Sequence, residues 1–181
     1  MKSHSLEQPH TTTATHDEGA IVRNLNTVVK IQTILVPTDF SASADKALAY
    51  ASALARHFGA TIILMHAVEP IYTPDFYPPV VDERARAGAE ARLKAMSARL
   101  REVGVLARDP HVVEGIGWDS IIETAQSADA DLIVISTHGY TGLKHVFLGS
   151  TTERVVRHAS CPVLVVREHE HDFVGPAHSE S

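Results

Sequence analysis

The sequence predicts an α/β protein: a single doubly wound, five-stranded parallel sheet with helices on both faces. Three observations carry that expectation. Short apolar runs rich in β-branched residues recur along the chain, stretches with apolar residues at helical spacing separate them, and the runs lack the polar alternation of a half-solvated strand. Strands apolar on both faces have to be covered on both, which is the situation of parallel sheets flanked by helices. The right-handed crossover rule then winds the chain to the two sides of one sheet.

The first strand falls at residues 31–37. Ala44, Ala47, Leu48, Ala51, Leu54, Ala55 and Phe58 follow at three- and four-residue spacing, with Ser41 placed as N-cap and Gly59 as the stop. A second apolar strand occupies residues 61–67, and the stripe Ala89, Leu93, Met96, Leu100, Val103 marks a helix that ends at Gly104. Residues 107–113 read as a weaker third strand, and Ile121, Ile122 and Ala125 as a short helix. Residues 132–135 and 163–166 are the fourth and fifth strands, with a helix bearing Val155, Val156 and Ala159 between them. Residues 69–82 hold four prolines and are expected to be a long loop or lid with no regular element.

Length and composition narrow the function. At 181 residues, 44% hydrophobic and 21% charged, the chain is one globular domain with a core. Its net charge of −6 and the lack of a Lys/Arg block argue against a nucleic-acid binder, which neutralises phosphates with clustered cations. A single cysteine, Cys161, excludes an internal disulfide and a multi-cysteine metal site, and reads as a packing residue, as does Trp118. No apolar run reaches the roughly 18 residues of a membrane span, and the polar N-terminus has no secretory h-region, so a cytoplasmic location is expected. Residues 1–26 and 169–181 are polar and His-rich and read as disordered tails around a domain at 27–168.

In an open α/β sheet, ligands bind beyond the carboxyl ends of the strands, where strand order reverses. The informative loop follows the fourth strand: Ser136, Thr137, His138, Gly139, then Gly142, Lys144 and His145, and finally Gly149, Ser150, Thr151, Thr152 and Glu153 leading into a helix. Glycines permit close backbone approach, and hydroxyl residues at a helix start gather free N–H groups into an anion site suited to phosphate. Neither a Walker A loop nor G-x-G-x-x-G is present. A ligand-free alternative fits the same residues, since Ser150 and Glu153 have the S-x-x-E spacing of a capping box. His66, at the end of a buried strand, reads as a hydrogen-bonded core histidine, and His138 as a solvated or bracing loop residue. Asp39 has its own rival reading, as a cap for the first helix.

The stretch from Gly139 through the nine residues 140–148 to Gly149-Ser150 resembles the nucleotide-binding type of the universal stress protein family. The likeness extends to Ile34-Leu-Val-Pro-Thr-Asp39-Phe-Ser41, to Leu64-Met-His-Ala67-Val and to Ser160-Cys-Pro-Val-Leu-Val-Val, covering about residues 30–167. The family's nucleotide-binding members carry G-x-x-G, nine residues, then G-S/T here. Ser136 stands at the first glycine, able to follow the same backbone path if φ stays negative but bringing a Cβ that would crowd a ribose or phosphate. The resemblance implies the strand order 3-2-1-4-5 and an ATP site. Pro37, Thr38 and Asp39 would form the pocket floor, with the Asp39 carboxylate meeting a ribose hydroxyl or a metal, Mg or Mn, carried on the phosphates. Ala67 would offer backbone groups to adenine, Ile135 and Ser136 would border the nucleoside, and Gly139, Gly149, Ser150, Thr151 and Thr152 would hold the phosphates.

The resulting expectation is an adenine-nucleotide-binding regulatory module of the stress response, with at most slow ATP hydrolysis. Phosphoryl transfer needs a metal, a cationic clamp and an oriented nucleophile, and only Asp39 and Lys144 offer themselves. The alternative is a dimeric interaction protein of the same fold that does not bind nucleotide; such members lack the glycine pattern that is largely kept here. An ATP pyrophosphatase would need S-G-G-x-D-S after the first strand, where Pro37-Thr-Asp-Phe-Ser41 stands. In the implied strand order the last strand, residues 162–167, is a flat apolar edge, and pairing with its own copy predicts a homodimer.

Overall fold

A computed structural model describes residues 28–73, 76–137, 149–167 and 174. In chain order the elements are β1 (Thr33–Pro37), α1 (Ala42–Phe58), β2 (Thr61–Val68), β3 (Ile71–Thr73), β4 (Phe76–Val80), α2 (Glu83–Glu102), β5 (His111–Glu114), α3 (Gly117–Ser127), β6 (Leu132–Ser136), α4 (Ser150–His158) and β7 (Val163–Val166). Five of the strands make one parallel sheet in the order β5-β2-β1-β6-β7, which is the expected 3-2-1-4-5 once the small β3–β4 pair is set aside.

Alternation along each buried strand divides the core in two. Ile34, Val36, Ile62, Leu64 and Val134 pack on one side beneath α1 and α2, through Ala47, Tyr50, Ala51, Leu93 and Leu100. Leu35, Ile63, Met65, Ile133 and Ile135 pack on the other beneath α3 and α4, through Ile121, Ala125 and Val155. Val174 joins the first cluster, half-buried. The central strands β1 and β6 are buried at every residue, which is why they carry no polar alternation.

Helix ends follow local chemistry. Ser41 caps α1, its Oγ accepting from the Ala44 N–H at 3.2 Å, and Gly59 ends the helix at φ 67. Asp82 caps α2 through the N–H groups of Arg84 and Ala85. At the amino end of the sheet, Asp131 Oδ2 accepts from the N–H groups of Gln32 and Thr33, at 2.8 and 2.9 Å, and ties the start of β6 to the start of β1.

Two elements differ from the sequence expectation. Residues 69–82 contain an antiparallel ribbon, with Ile71 opposite Val80 and Thr73 opposite Phe76. Proline is compatible with a two-stranded ribbon because each strand has a free edge that needs no N–H donor. The third parallel strand is shorter than residues 107–113: it runs His111–Glu114, and Ala107 makes only an isolated bridge to Ile62. Pro110 stands between the two pairings and has no N–H to continue the ladder. The tails expected at 1–26 and 169–181 lie outside the described residues, Val174 excepted.

Candidate functional site

Where strand order reverses between β1 and β6, the carboxyl ends of β1, β2 and β6 open into a cleft of about 460 Å³. That volume lies within the roughly 300–1,000 Å³ of small-ligand sites. Pro37, Thr38, Asp39, Ala67, Ile135, Ser136, Gly149, Ser150, Thr151 and Thr152 all line it, so the structure gathers every site residue expected from sequence except Gly139. Gly139 lies outside the described residues, as do His138, Gly142, Lys144 and His145.

The turn after β1 is tightly held. Thr38 N–H donates to the Met65 carbonyl at 2.9 Å, and the Phe40 N–H donates to Thr38 Oγ1 at 2.9 Å. Asp39 Oδ1 accepts from both the N–H and the hydroxyl of Ser41, at 3.0 and 2.6 Å. The Ser41 hydroxyl has one proton, so its 2.9 Å contact with Ser43 is donated by Ser43. Asp39 Oδ2 is buried with no partner among the described residues. A buried carboxylate oxygen without a donor is costly. Asp39 therefore does not cap α1; it braces the residue that does and keeps one oxygen in reserve.

Phe40, the next residue, has φ 65. An aromatic side chain in the left-handed region costs about 1–2 kcal/mol, and such strain gathers at functional sites.

On the opposite wall, α4 begins without a side-chain cap. Gly149 is the N-cap residue, and Ser150 is the first helical residue. The capping box is thus out of register by one: Glu153 turns instead to Arg157, at 2.8 Å. The uncapped N–H groups at the start of α4, with the hydroxyls of Ser150 and Thr151, are a ready anion site. Thr152 is committed elsewhere, its hydroxyl donating to the Ser136 carbonyl at 2.8 Å and fixing the helix start against β6. Gly149 donates to the Thr137 carbonyl at 2.9 Å, and a Cβ at this position would sit 2.8 Å from that same oxygen. Glycine is required here by the close packing of two backbones, independently of any ligand.

Ser136 fits without strain. Apart from glycines, positive φ among the described residues is confined to Phe40 and Asp129, so Ser136 follows the ordinary strand path.

Several lining residues were not expected from sequence. Met65 and Ile121 contribute apolar wall. Glu69 reaches across to accept from the Gly117 N–H at 3.2 Å, capping α3 from a residue 48 positions away. No local spacing could reveal such a contact. His66 is half-buried in the cleft wall and not enclosed in the core; its Nδ1 lies 2.7 Å from the Thr38 carbonyl. Trp118 packs against the second core cluster with Arg154 and His158 near its ring, and its Nε1 is buried without a partner among the described residues. Burial, and after it the Asp131 charge, push the Cys161 thiol up from its ordinary value, which disfavours the thiolate.

Fold and cleft together define a doubly wound α/β domain whose candidate site combines apolar walls, a helix start without a side-chain cap and a carboxylate oxygen without a partner among the described residues. The chain belongs to the universal stress protein family, which it matches over residues 30–167. It is 36% identical over 137 residues to a universal stress protein of Thermus aquaticus, covering 75% of this chain and 98% of that one. Among solved structures it is similar to the universal stress protein UspA from Lactobacillus plantarum, at 31% identity and a TM-score of 0.67, covering 77% of this chain and all of that one. It is also similar to a universal stress protein solved in complex with cAMP, at 27% identity and a TM-score of 0.58, covering 77% of this chain and 98% of that one.

Proposed function

We propose that this chain binds an adenine nucleotide, ATP, in the cleft between β1 and β6, and acts as a regulatory module of the stress response in the cytoplasm. The observation that carries this reading is the convergence, in one cleft, of Asp39, whose buried Oδ2 has no donor among the described residues, and the start of α4, which has no side-chain cap. One suits a ribose hydroxyl and the other a phosphate chain. The cAMP held by a structural neighbour supports the same class of guest. Ala67 would present its backbone to the base, and Ile135 and Ser136 would border the nucleoside.

The charged or titratable groups among the described lining residues are Asp39, Glu69 and His66, with no Lys or Arg. Phosphates beside two carboxylates call for a compensating cation. Asp39 would face a Mg or Mn ion brought on the phosphates, which would supply that neutralisation.

β7 is an edge strand whose Val163, Leu164 and Val165 are half-buried, and Arg167 is its first charged neighbour. Pairing with its own copy would extend the sheet and give a homodimer. Sedimentation at micromolar concentration should find a dimer that Val165→Pro dissociates; a wild-type monomer would refute the interface.

Calorimetric titration of the full chain with ATP and AMP tests the central reading. Saturable binding of ATP is expected. A protein that binds neither nucleotide would instead be an interaction module of the same fold.

A further inference from the structure

We infer that His66 is a positioning residue for the nucleotide, acting through the loop that carries Asp39; this rests on the cleft being a nucleotide site. The strained residue Phe40 is the starting point. A left-handed aromatic residue persists only where its surroundings over-determine it. Two of the restraints on this loop come from one side chain. His66 Nδ1 lies 2.7 Å from the Thr38 carbonyl, and its imidazole stands 4.6 Å from the Phe40 ring. A carbonyl oxygen only accepts, so Nδ1 carries the proton, and this donor is present in both the neutral and the charged ring.

The Phe40 ring is held from a further element as well. The Arg92 guanidinium, on the exposed face of α2, lies 3.9 Å over it. Thr38 and Phe40 flank Asp39 on either side, so anchoring both fixes the backbone from which the Asp39 carboxylate departs. Oδ1 is then spent on Ser41 and Oδ2 is left for the ligand. Without the His66 donor the loop could relax toward negative φ at Phe40, and the carboxylate would leave its place.

The experiment is a double-mutant cycle on the full chain, read by calorimetry with ATP and with AMP, with thermal unfolding recorded alongside. His66→Phe keeps an aromatic ring beside Phe40 and removes the donor. It is expected to weaken ATP about 10-fold, the factor that corresponds to one lost hydrogen bond. His66→Asn returns an amide N–H near the Nδ1 position and is expected to bind within about 3-fold of wild type. In an Asp39→Ala background, His66→Phe should have no further effect.

Wild-type affinity in His66→Phe overturns the inference, and so does a loss that persists undiminished in Asp39→Ala, which would mean direct contact with the ligand. If His66→Phe does not fold, Arg92→Gln, at an exposed position, carries the same test. Its weaker binding, absent in the Asp39→Ala background, supports the clamp, and unchanged binding overturns it. A wild-type protein silent to both nucleotides overturns the nucleotide reading and this inference together, an outcome visible before any variant is made.

Discussion

Two helices begin at the same cleft and treat their first turns differently. At α1 the free N–H groups are met from within: Ser41 caps the helix, Asp39 braces Ser41, and Ser43 donates to the same hydroxyl. At α4 the N-cap is Gly149, which has no side chain to give, and Ser150 stands one residue too late to serve. The difference separates a helix start that is capped by its own side chains from one that is not. The α1 turn is capped by its own side chains and leaves only Asp39 Oδ2 without a partner among the described residues, whereas the α4 turn has no side-chain cap. The start of α3 also lines the cleft, its Gly117 N–H met from a distance by Glu69.

The sharpest way to break this contrast is at Gly149. Gly149→Val forces a branched side chain against the Thr137 carbonyl, at a position where even a Cβ has only 2.8 Å. ATP affinity is expected to fall about 100-fold or more, with a stability loss of about 1–3 kcal/mol from overpacking. Because the clash is with backbone, the variant reads the helix start and the site together, and wild-type binding would remove α4 from the site.

Next in size is Asp39→Ala, expected to weaken ATP about 10-fold. Calorimetry showing no change would return Asp39 to a purely structural role beside Ser41.

The matched pair Ser41→Ala and Ser150→Ala tests the contrast most directly. Ser41→Ala removes a true cap and should cost about 1 kcal/mol of stability in denaturant titration. Ser150→Ala removes no cap, so stability should hold while ATP affinity drops about 3-fold. Equal destabilisation by the two would make the start of α4 an ordinary capped helix.

The smallest effect is expected at Glu69→Gln. The amide oxygen still accepts from Gly117, but the negative charge leaves the cleft wall, so ATP should bind about 2-fold tighter at low salt. Weaker binding would mean that the carboxylate serves the ligand.

Much of this architecture is legible in the residues themselves. Strands apolar on both faces announced a covered parallel sheet, and Ser41 before a helical stripe announced a cap. The misreadings have specific causes. The S-x-x-E spacing of Ser150 and Glu153 is real, but the glycine before it takes the cap position, and spacing cannot reveal which residue leaves the helix. The ribbon of β3 and β4 was hidden by prolines that weigh against strands in general but not against a free edge. His66 was expected in the core because its strand is buried, yet it lies near the carboxyl end, where burial gives way to the cleft. Phe40 runs against its own propensity, so tertiary contacts alone announce it. The residues expected from the family resemblance, Gly139 aside, line one cleft; the lining contacts that were missed are made across long stretches of chain.

The staple formed by Asp131 has a kinetic consequence. It links residues 98 and 99 positions apart, at the seam where β1 meets β6. On either side of that seam the pairings β1–β2 and β6–β7 close over much shorter loops. Low contact order lets those two halves form early, while joining them requires closing the long loop. The cleft exists only after that last step, so a ligand bridging its walls has nothing to hold in the transition state if the seam closes after it. Nucleotide should then slow unfolding in proportion to the stability it adds and leave the refolding rate unchanged.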